Sequence, residues 1–329
     1  MKKFFIGITI FAVLFAVGFS LSRKETVRAQ AWKQSHLALG TVVEIQVRHA
    51  ERAKAEAAMA MAFTEIRRVE ALFTSHDPES PIGVINSSSA TSFSVSPEVF
   101  GVMRQCDAFW KSTAGAFDAG VGAVSDAWGF RGGKPDVPPA ARLQRSMKRS
   151  GWRHVRLGEE GRVQRAVPVQ FDFGAIIPGY AVDCAVAVLK REGMAEALVD
   201  GGGEIRSTGG EWTIGIQHPR KKGEIIRRLR LRGSAVATSG DYEQYFEKDG
   251  RRYHHVLDPR TGFPAASCQS VTVLAADGVT ADALSTGFFV LGPQETMRRV
   301  REMPDVHVMV VDAAGVVHVS EGFAAHVIE

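Results

Sequence analysis

Asp282 and Thr286 stand four residues apart in an apolar run rich in Ala and Leu. In a helix that spacing puts both side chains on one face, pointing the same way. A carboxylate and a hydroxyl together suit a hard cation such as Mg²⁺, which keeps other positions for water or phosphate oxygens. Taken alone, an Asp near a helix start is more often a partner of the helix dipole. A second group lies between 171 and 204. Phe171-Asp172-Phe173 reads as a strand running into a turn at Gly174, Gly179 opens a helix, and an apolar strand ends in Asp200-Gly201-Gly202-Gly203-Glu204. Glycine turns let backbone amides approach a ligand closely. Two of them, each beside an acid, fit a phosphorylated ligand held with a metal. Two tight turns at sheet edges account for the spacing equally well.

The run His254-His255-Val256-Leu257-Asp258-Pro259-Arg260-Thr261-Gly262 is the densest in chemistry. Its apolar residues predict a strand over 253–257, which leaves at most one histidine facing any one pocket. His254 reads as a structural histidine, and Asp-Pro-Arg-Thr-Gly as a turn. Ser239-Gly240-Asp241-Tyr242 adds a further glycine turn with an acid. Thr113-Ala114-Gly115-Ala116-Phe117-Asp118 reads as a loop of small residues with one exposed aromatic and one acid. The chain has no Walker-type phosphate loop, no Gly-x-Gly-x-x-Gly at a first strand–helix turn and no nucleophile elbow. These absences weigh against P-loop, dinucleotide-fold and serine-hydrolase chemistry.

The elements that must position these groups follow from the residue patterns. A β-branched, alternating strand is predicted over 41–47 and an Ala/Met/Glu-rich helix over 51–73. Asn86-Ser87-Ser88-Ser89 reads as a polar turn, and Ser96-Pro97-Glu98 opens a helix running to 112. The stretch 128–139 is a Gly/Pro-rich loop, and 140–149 a basic surface helix. Short strands follow at 212–216, 225–231, 235–238 and 271–274, with polar turns that favour antiparallel pairing. Helices at 281–291 and 293–302 and a hairpin over 307–319 complete the chain. Strand runs with inserted helices predict the α+β class, with one large domain over 32–329 and mixed or antiparallel sheets.

Residues 4–21 form an uncharged apolar run behind Lys2-Lys3, the pattern of an export signal. Cleavage after Ala31 and retention of residues 1–31 as a membrane anchor both fit. In either case the body is expected in the periplasm, on the outer face of the cytoplasmic membrane. The net charge of +4 belongs to this segment. Taking its five basic residues and one acid from the 40 and 36 of the whole chain leaves a body with 35 of each. Nothing in that balance favours nucleic acid. The cluster Arg220-Lys221-Lys222 reads as a solvated hairpin. Three widely spaced cysteines form neither a disulfide framework nor a paired metal motif.

Together these segments resemble the ApbE family of FAD:protein FMN transferases. The matching pieces, in order, are Leu39-Gly40-Thr41, Asn86, Gly115-Ala116-Phe117-Asp118, Phe171-Asp172-Phe173-Gly174-Ala175-Ile176, Gly179-Tyr180-Ala181-Val182-Asp183 and Gly201-Gly202-Gly203-Glu204. Ser239-Gly240-Asp241-Tyr242, the His255–Gly262 run and Asp282-Ala283-Leu284-Ser285-Thr286 continue the match, which spans about 37–292. The resemblance implies an exported enzyme that takes FAD as substrate, uses Mg²⁺, and moves FMN to a Thr hydroxyl of an acceptor protein with release of AMP. It implies metal ligation by Asp282, Thr286 and the Ala175 carbonyl. It implies a flavin site at Ala116, Phe117, Asp118, Asp172 and the His255-Val256 strand. The incoming Thr hydroxyl must lose its proton, and His255 or a nearby Asp fits the role of base. Leu39, His76 and Pro178 occupy further cofactor-binding positions and depart from the family's Met, aromatic and Lys. Glu204 stands where the family has Asp. These departures bear on transfer more than on FAD binding, so an FAD pyrophosphatase giving FMN and AMP, or a non-catalytic FAD-binding accessory protein, are the alternatives.

Overall fold

The structure, a computed structural model, describes residues 30–328. The apolar run at 4–21, and with it the expected signal or anchor, lies outside the described residues. Among the described residues no helix is long and apolar enough to cross a membrane.

A two-residue turn starts the main sheet. β1 (Gln30–Ala38) pairs antiparallel with β2 (Thr41–His49), Ala38 opposite Thr41. Between them Leu39 and Gly40 take φ of 55° and 73°. Positive φ at both central residues gives the hairpin turn whose twist matches that of paired strands. Glycine adopts it freely, whereas Leu39 holds an uncommon conformation for a residue with a Cβ. β1 has no sequence signature, because it is a mostly exposed edge strand without β-branched alternation.

From this hairpin the chain runs through α1 (Arg52–Phe73), α2 (Pro81–Ser87), β3 (Ser92–Ser94), α3 (Pro97–Ser112), α4 (Gly122–Trp128) and α5 (Ala140–Met147). β4 (Val155–Leu157), β5 (Arg162–Arg165), α6 (Ile177–Arg191), β6 (Glu196–Asp200) and β7 (Ile205–Ser207) follow. Next come β8 (Trp212–Gln217), β9 (Ile225–Leu231), β10 (Ala235–Gly240), β11 (Tyr245–Lys248), β12 (Arg251–His254) and β13 (Cys268–Ala275). The chain closes with α7 (Gly278–Leu291), α8 (Pro293–Val300), β14 (His307–Asp312), β15 (Val317–Val319) and α9 (Glu321–Ala324). Eight strands form one sheet in the order β1-β2-β6-β7-β10-β13-β14-β15, antiparallel at every pairing. The fold is α+β.

Both faces of this sheet are covered, and period-two alternation decides which residue goes where. Val43, Ile45 and Val47 of β2 enter one core with α1 and α6, while Val271 and Val273 of β13 join Leu284 and Phe288 of α7. The intervening Val236, Leu274 and Met309 face the opposite side, where the β8–β9 ribbon packs with Phe323. Burial on both faces encloses all eight residues of β13, including the polar Gln269, Ser270 and Thr272.

Several local expectations are corrected. Residues 171–173 pair with no strand, and the strand expected over 253–257 ends at His254. Asn86 lies in α2 and not in a turn; Ser80 caps that helix, its Oγ accepting from the Gly83 N–H at 2.9 Å. Phe117 is 1% exposed and belongs to the core. Asn86 supplies what a neighbouring strand would have. Its Nδ2 donates to the Phe171 carbonyl at 2.9 Å, and its Oδ1 accepts from the Phe171 N–H at 2.7 Å. Arg131 also donates to that carbonyl, at 3.1 Å. Asn86→Ala therefore orphans the buried Phe171 N–H. It is expected to cost about 2 kcal/mol, read as a lower urea midpoint at unchanged slope.

Candidate active site

The site is built where two helices touch through glycine. Gly179 of α6 and Gly278 of α7 face each other. A Cβ on Gly179 would overlap the Gly278 carbonyl oxygen and lie 2.7 Å from Asp282 Cβ, and one on Gly278 would lie 2.5 Å from the Gly179 carbonyl. This approach lets the Gly179 N–H donate to Asp282 Oδ2 at 2.8 Å. Two further carboxylates hold the start of α7. Asp277 Oδ1 accepts from the Thr280 N–H at 2.7 Å; Asp183 accepts from the N–H groups of Gly278 and Val279 at 2.9 and 3.0 Å. Those amides are the ones a helix start leaves without internal partners. The sequence Asp277-Gly278-Val279-Thr280 is thus the cap of α7.

Beside this crossing lies a cleft of about 490 Å³. Asp172, Ala175 and Pro178 line it from the turn before α6, Thr286 from α7, and His255 and Val256 from the segment after β12. Ala116 and Asp118 contribute from the loop after α3, Leu39 from the first hairpin, and His76 from the loop after α1. Ten of the twelve sequence-derived site residues therefore meet in one cavity. The other two do not line it. Phe117 packs edge-on against Phe109 at 5.9 Å, and Asp282 is 3% exposed behind the wall, one helical turn from Thr286.

The charges are arranged for a ligand that brings positive charge with it. Glu70, Asp118 and Asp172 line the cleft, and among the described residues Arg131 is its one Lys or Arg side chain. Burial pushes Asp118 up to about 6, against hydrogen bonds from the Trp152 and Gly120 N–H groups. Asp282 is held well above the usual carboxylate range, first by burial and then by the charge of Asp183. Glu204 is raised in the same way, by burial and by Asp282. Asp282, enclosed and without a basic partner among the described residues, marks a place where a cation would relieve the desolvation cost. Among the described residues no three His, Cys, Asp or Glu side chains converge on one point. A metal here must draw on hydroxyl and carbonyl oxygens as well, and Thr286 and Ala175 offer that hard-oxygen set.

His255 has the features of a base. Its Nδ1 lies 3.4 Å from the Gln244 carbonyl oxygen. A carbonyl only accepts, so Nδ1 carries the proton and the Nε2 lone pair is left free. Burial lowers its pKa, so the ring is neutral at neutral pH. His254 points the other way. Its Nε2 bonds the Ala265 carbonyl at 2.8 Å, its Nδ1 is buried without a partner, and its ring meets Phe289 edge-on. Burial pulls its pKa down from 6.5 to about 4. Between those values the unfolded chain binds the extra proton, so this group stabilises the fold fully above 6.5 and progressively less as pH falls toward 4. The full difference in stability between neutral pH and pH well below 4 is about 3 kcal/mol. In His254→Gln the stability lost between pH 7 and pH 4.5 is expected to shrink by a large part of that, measured by urea unfolding at both pH values.

Two positioning contacts had no local signal. Arg131, within the Gly/Pro-rich loop, pairs with Asp126 at 3.1 Å and braces Phe171. Arg220, expected on a solvated hairpin, reaches Asp241 with two bonds of 2.7 and 2.6 Å. Both join segments distant in sequence, so neither is visible in a local pattern.

The family model for the ApbE family matches residues 39–310. The chain belongs to the ApbE family. The FAD:protein FMN transferase of Treponema pallidum is 31% identical over 309 residues, covering 86% of this chain and 85% of that one. The enzyme of the same name from Klebsiella pneumoniae is 33% identical over 263 residues, covering 78% and 82%. Among solved structures, the ApbE protein of Thermotoga maritima superposes with a TM-score of 0.84 at 34% identity, over 91% of this chain and all of that one. The flavin transferase ApbE of Vibrio cholerae gives 0.81 at 27% identity, over 91% and 99%.

Proposed function

We propose that this protein is an FAD:protein FMN transferase that uses Mg²⁺ and moves FMN to a threonine of an exported or membrane-bound acceptor protein. The observation that carries the reading is the meeting of Ala175, Thr286 and His255 in one cleft, with the enclosed Asp282 directly behind. The apolar run at 4–21 supports placing the reaction outside the cytoplasmic membrane.

In the reaction the threonine Oγ attacks the phosphorus on the FMN side of the FAD diphosphate. The bond from that phosphorus to the bridging oxygen breaks, and AMP leaves with the oxygen. A bound Mg²⁺, held by Asp282, Thr286 and the Ala175 carbonyl, would supply Lewis-acid neutralisation of the phosphate oxygens. His255 takes the threonine proton on its free Nε2. Asp118, fixed by the Trp152 and Gly120 amides, offers a rigid polar edge to the flavin. The Asp183 and Asp277 caps hold α7 so that Thr286 stays aimed at the cleft.

Incubation with FAD, Mg²⁺ and an acceptor domain tests the proposal by the mass of the acceptor. Covalent FMN on a threonine with stoichiometric AMP is the expected result. Free FMN and AMP with an unlabelled acceptor would show a pyrophosphatase instead, and bound, unreacted FAD an accessory protein. His255→Ala is expected to lower turnover about 100-fold or more while FAD still binds; unchanged turnover removes His255 from the base role.

A further inference from the structure

Ser239 lies next to last in β10 and does not line the cleft. Its hydroxyl sits between two hydroxyls of α7, 2.8 Å from Ser285 Oγ and 3.1 Å from Thr286 Oγ1. Ser285 Oγ in turn lies 2.9 Å from the Asp282 carbonyl oxygen. Only one arrangement of protons satisfies all three contacts. A carbonyl accepts and never donates, so Ser285 spends its single O–H on Asp282. Ser285 then has only lone pairs to offer, and Ser239 must donate to it. Ser239 has only lone pairs left for Thr286, so Thr286 donates to Ser239. The Thr286 proton is thereby turned into the fold, and its remaining lone pairs are free for the cleft that Thr286 lines.

We propose that Ser239 is a positioning residue that, with Ser285, fixes the polarity of the Thr286 hydroxyl so that Thr286 meets a divalent cation as a lone-pair donor. The inference rests on the metal site argued under Proposed function. A hydroxyl free to rotate would spend part of its time aiming its proton at the cation. The three-hydroxyl chain removes that competing state before the metal arrives. Partners of this kind behind a metal ligand typically change affinity by about 10–100-fold when removed.

The test is Mn²⁺ titrated into the full chain with FAD present and no acceptor, with free Mn²⁺ read by electron paramagnetic resonance. Ser239→Ala is expected to weaken Mn²⁺ binding about 10-fold or more. Ser239→Thr, which keeps the hydroxyl, is expected to restore most of it. Ser285→Ala is expected to weaken binding as well, because it frees the Ser239 proton to turn toward Thr286. Wild-type affinity in Ser239→Ala overturns the inference and leaves the metal site standing. So does a loss that Ser239→Thr does not recover and Ser285→Ala does not share, since that marks simple packing. If the wild-type chain binds no Mn²⁺, the metal reading fails and this inference fails with it.

Discussion

Asp282→Asn is expected to lower FMN transfer at least about 100-fold while leaving the metal-free protein as stable as the wild type or more so. The substitution keeps shape, and the asparagine Oδ1 can still accept from the Gly179 N–H that now reaches Asp282 at 2.8 Å. What disappears is the negative charge. In the metal-free chain that charge is a burden, because Asp282 is 3% exposed and has no basic partner among the described residues. In the proposed metal-bound enzyme it would be the one anionic member of an otherwise neutral oxygen set. Activity and stability should therefore move in opposite directions. Transfer rates at saturating FAD, together with thermal unfolding in chelator, check both halves. Activity within tenfold of wild type would remove Asp282 from the site. A clear fall in metal-free stability would mean that the carboxylate serves the fold.

The same small residue change should have opposite effects at two glycines. Gly179→Ala pushes a methyl group into the Gly278 carbonyl and against Asp282 Cβ, and neither backbone can yield without moving α6 or α7. Overpacking of this kind costs about 3 kcal/mol. It should also abolish FAD binding, because the displaced helices carry Pro178 and Thr286 on the cleft wall. Gly101, inside α3, has nothing within 4 Å of its Cβ position and no positive φ. There alanine only removes backbone freedom from the unfolded chain, and a gain of about 0.5–1 kcal/mol is expected. Urea unfolding of both variants, with flavin fluorescence for binding, gives the comparison. Equal effects at the two positions would show that the α6–α7 contact is looser than the structure has it.

Residue patterns carried the elements that use strong local rules. α1, α3, α7, β2 and β9 appear close to their expected bounds, because helix caps, apolar periodicity and β-branched alternation act over a few residues. They also picked out ten residues that line one cleft, since Asp282–Thr286 and the glycine turns are short motifs whose spacing has chemical meaning. The segments that went wrong are those held by distant partners. Residues 171–173 look like a strand, but Phe171 finds its hydrogen bonds at Asn86 and Arg131 and the Asp172 N–H donates to the Ala119 carbonyl. Phe117 looks like an exposed loop aromatic but fills a space that Phe109 and the Gly287 side of α7 leave for it.

By itself, then, the order of residues determined which groups are available for chemistry and which short elements carry them. It also determined the α+β class, through the succession of strand and helix patterns. Tertiary structure alone decided that Asp282 is enclosed and Thr286 is open, although they share one helix face. It alone decided what surrounds the two histidines, with His254 bonded to the Ala265 carbonyl and His255 near the Gln244 carbonyl. Burial, pKa and proton direction depend on what packs around a group from every side, and those neighbours come from segments far apart along the chain.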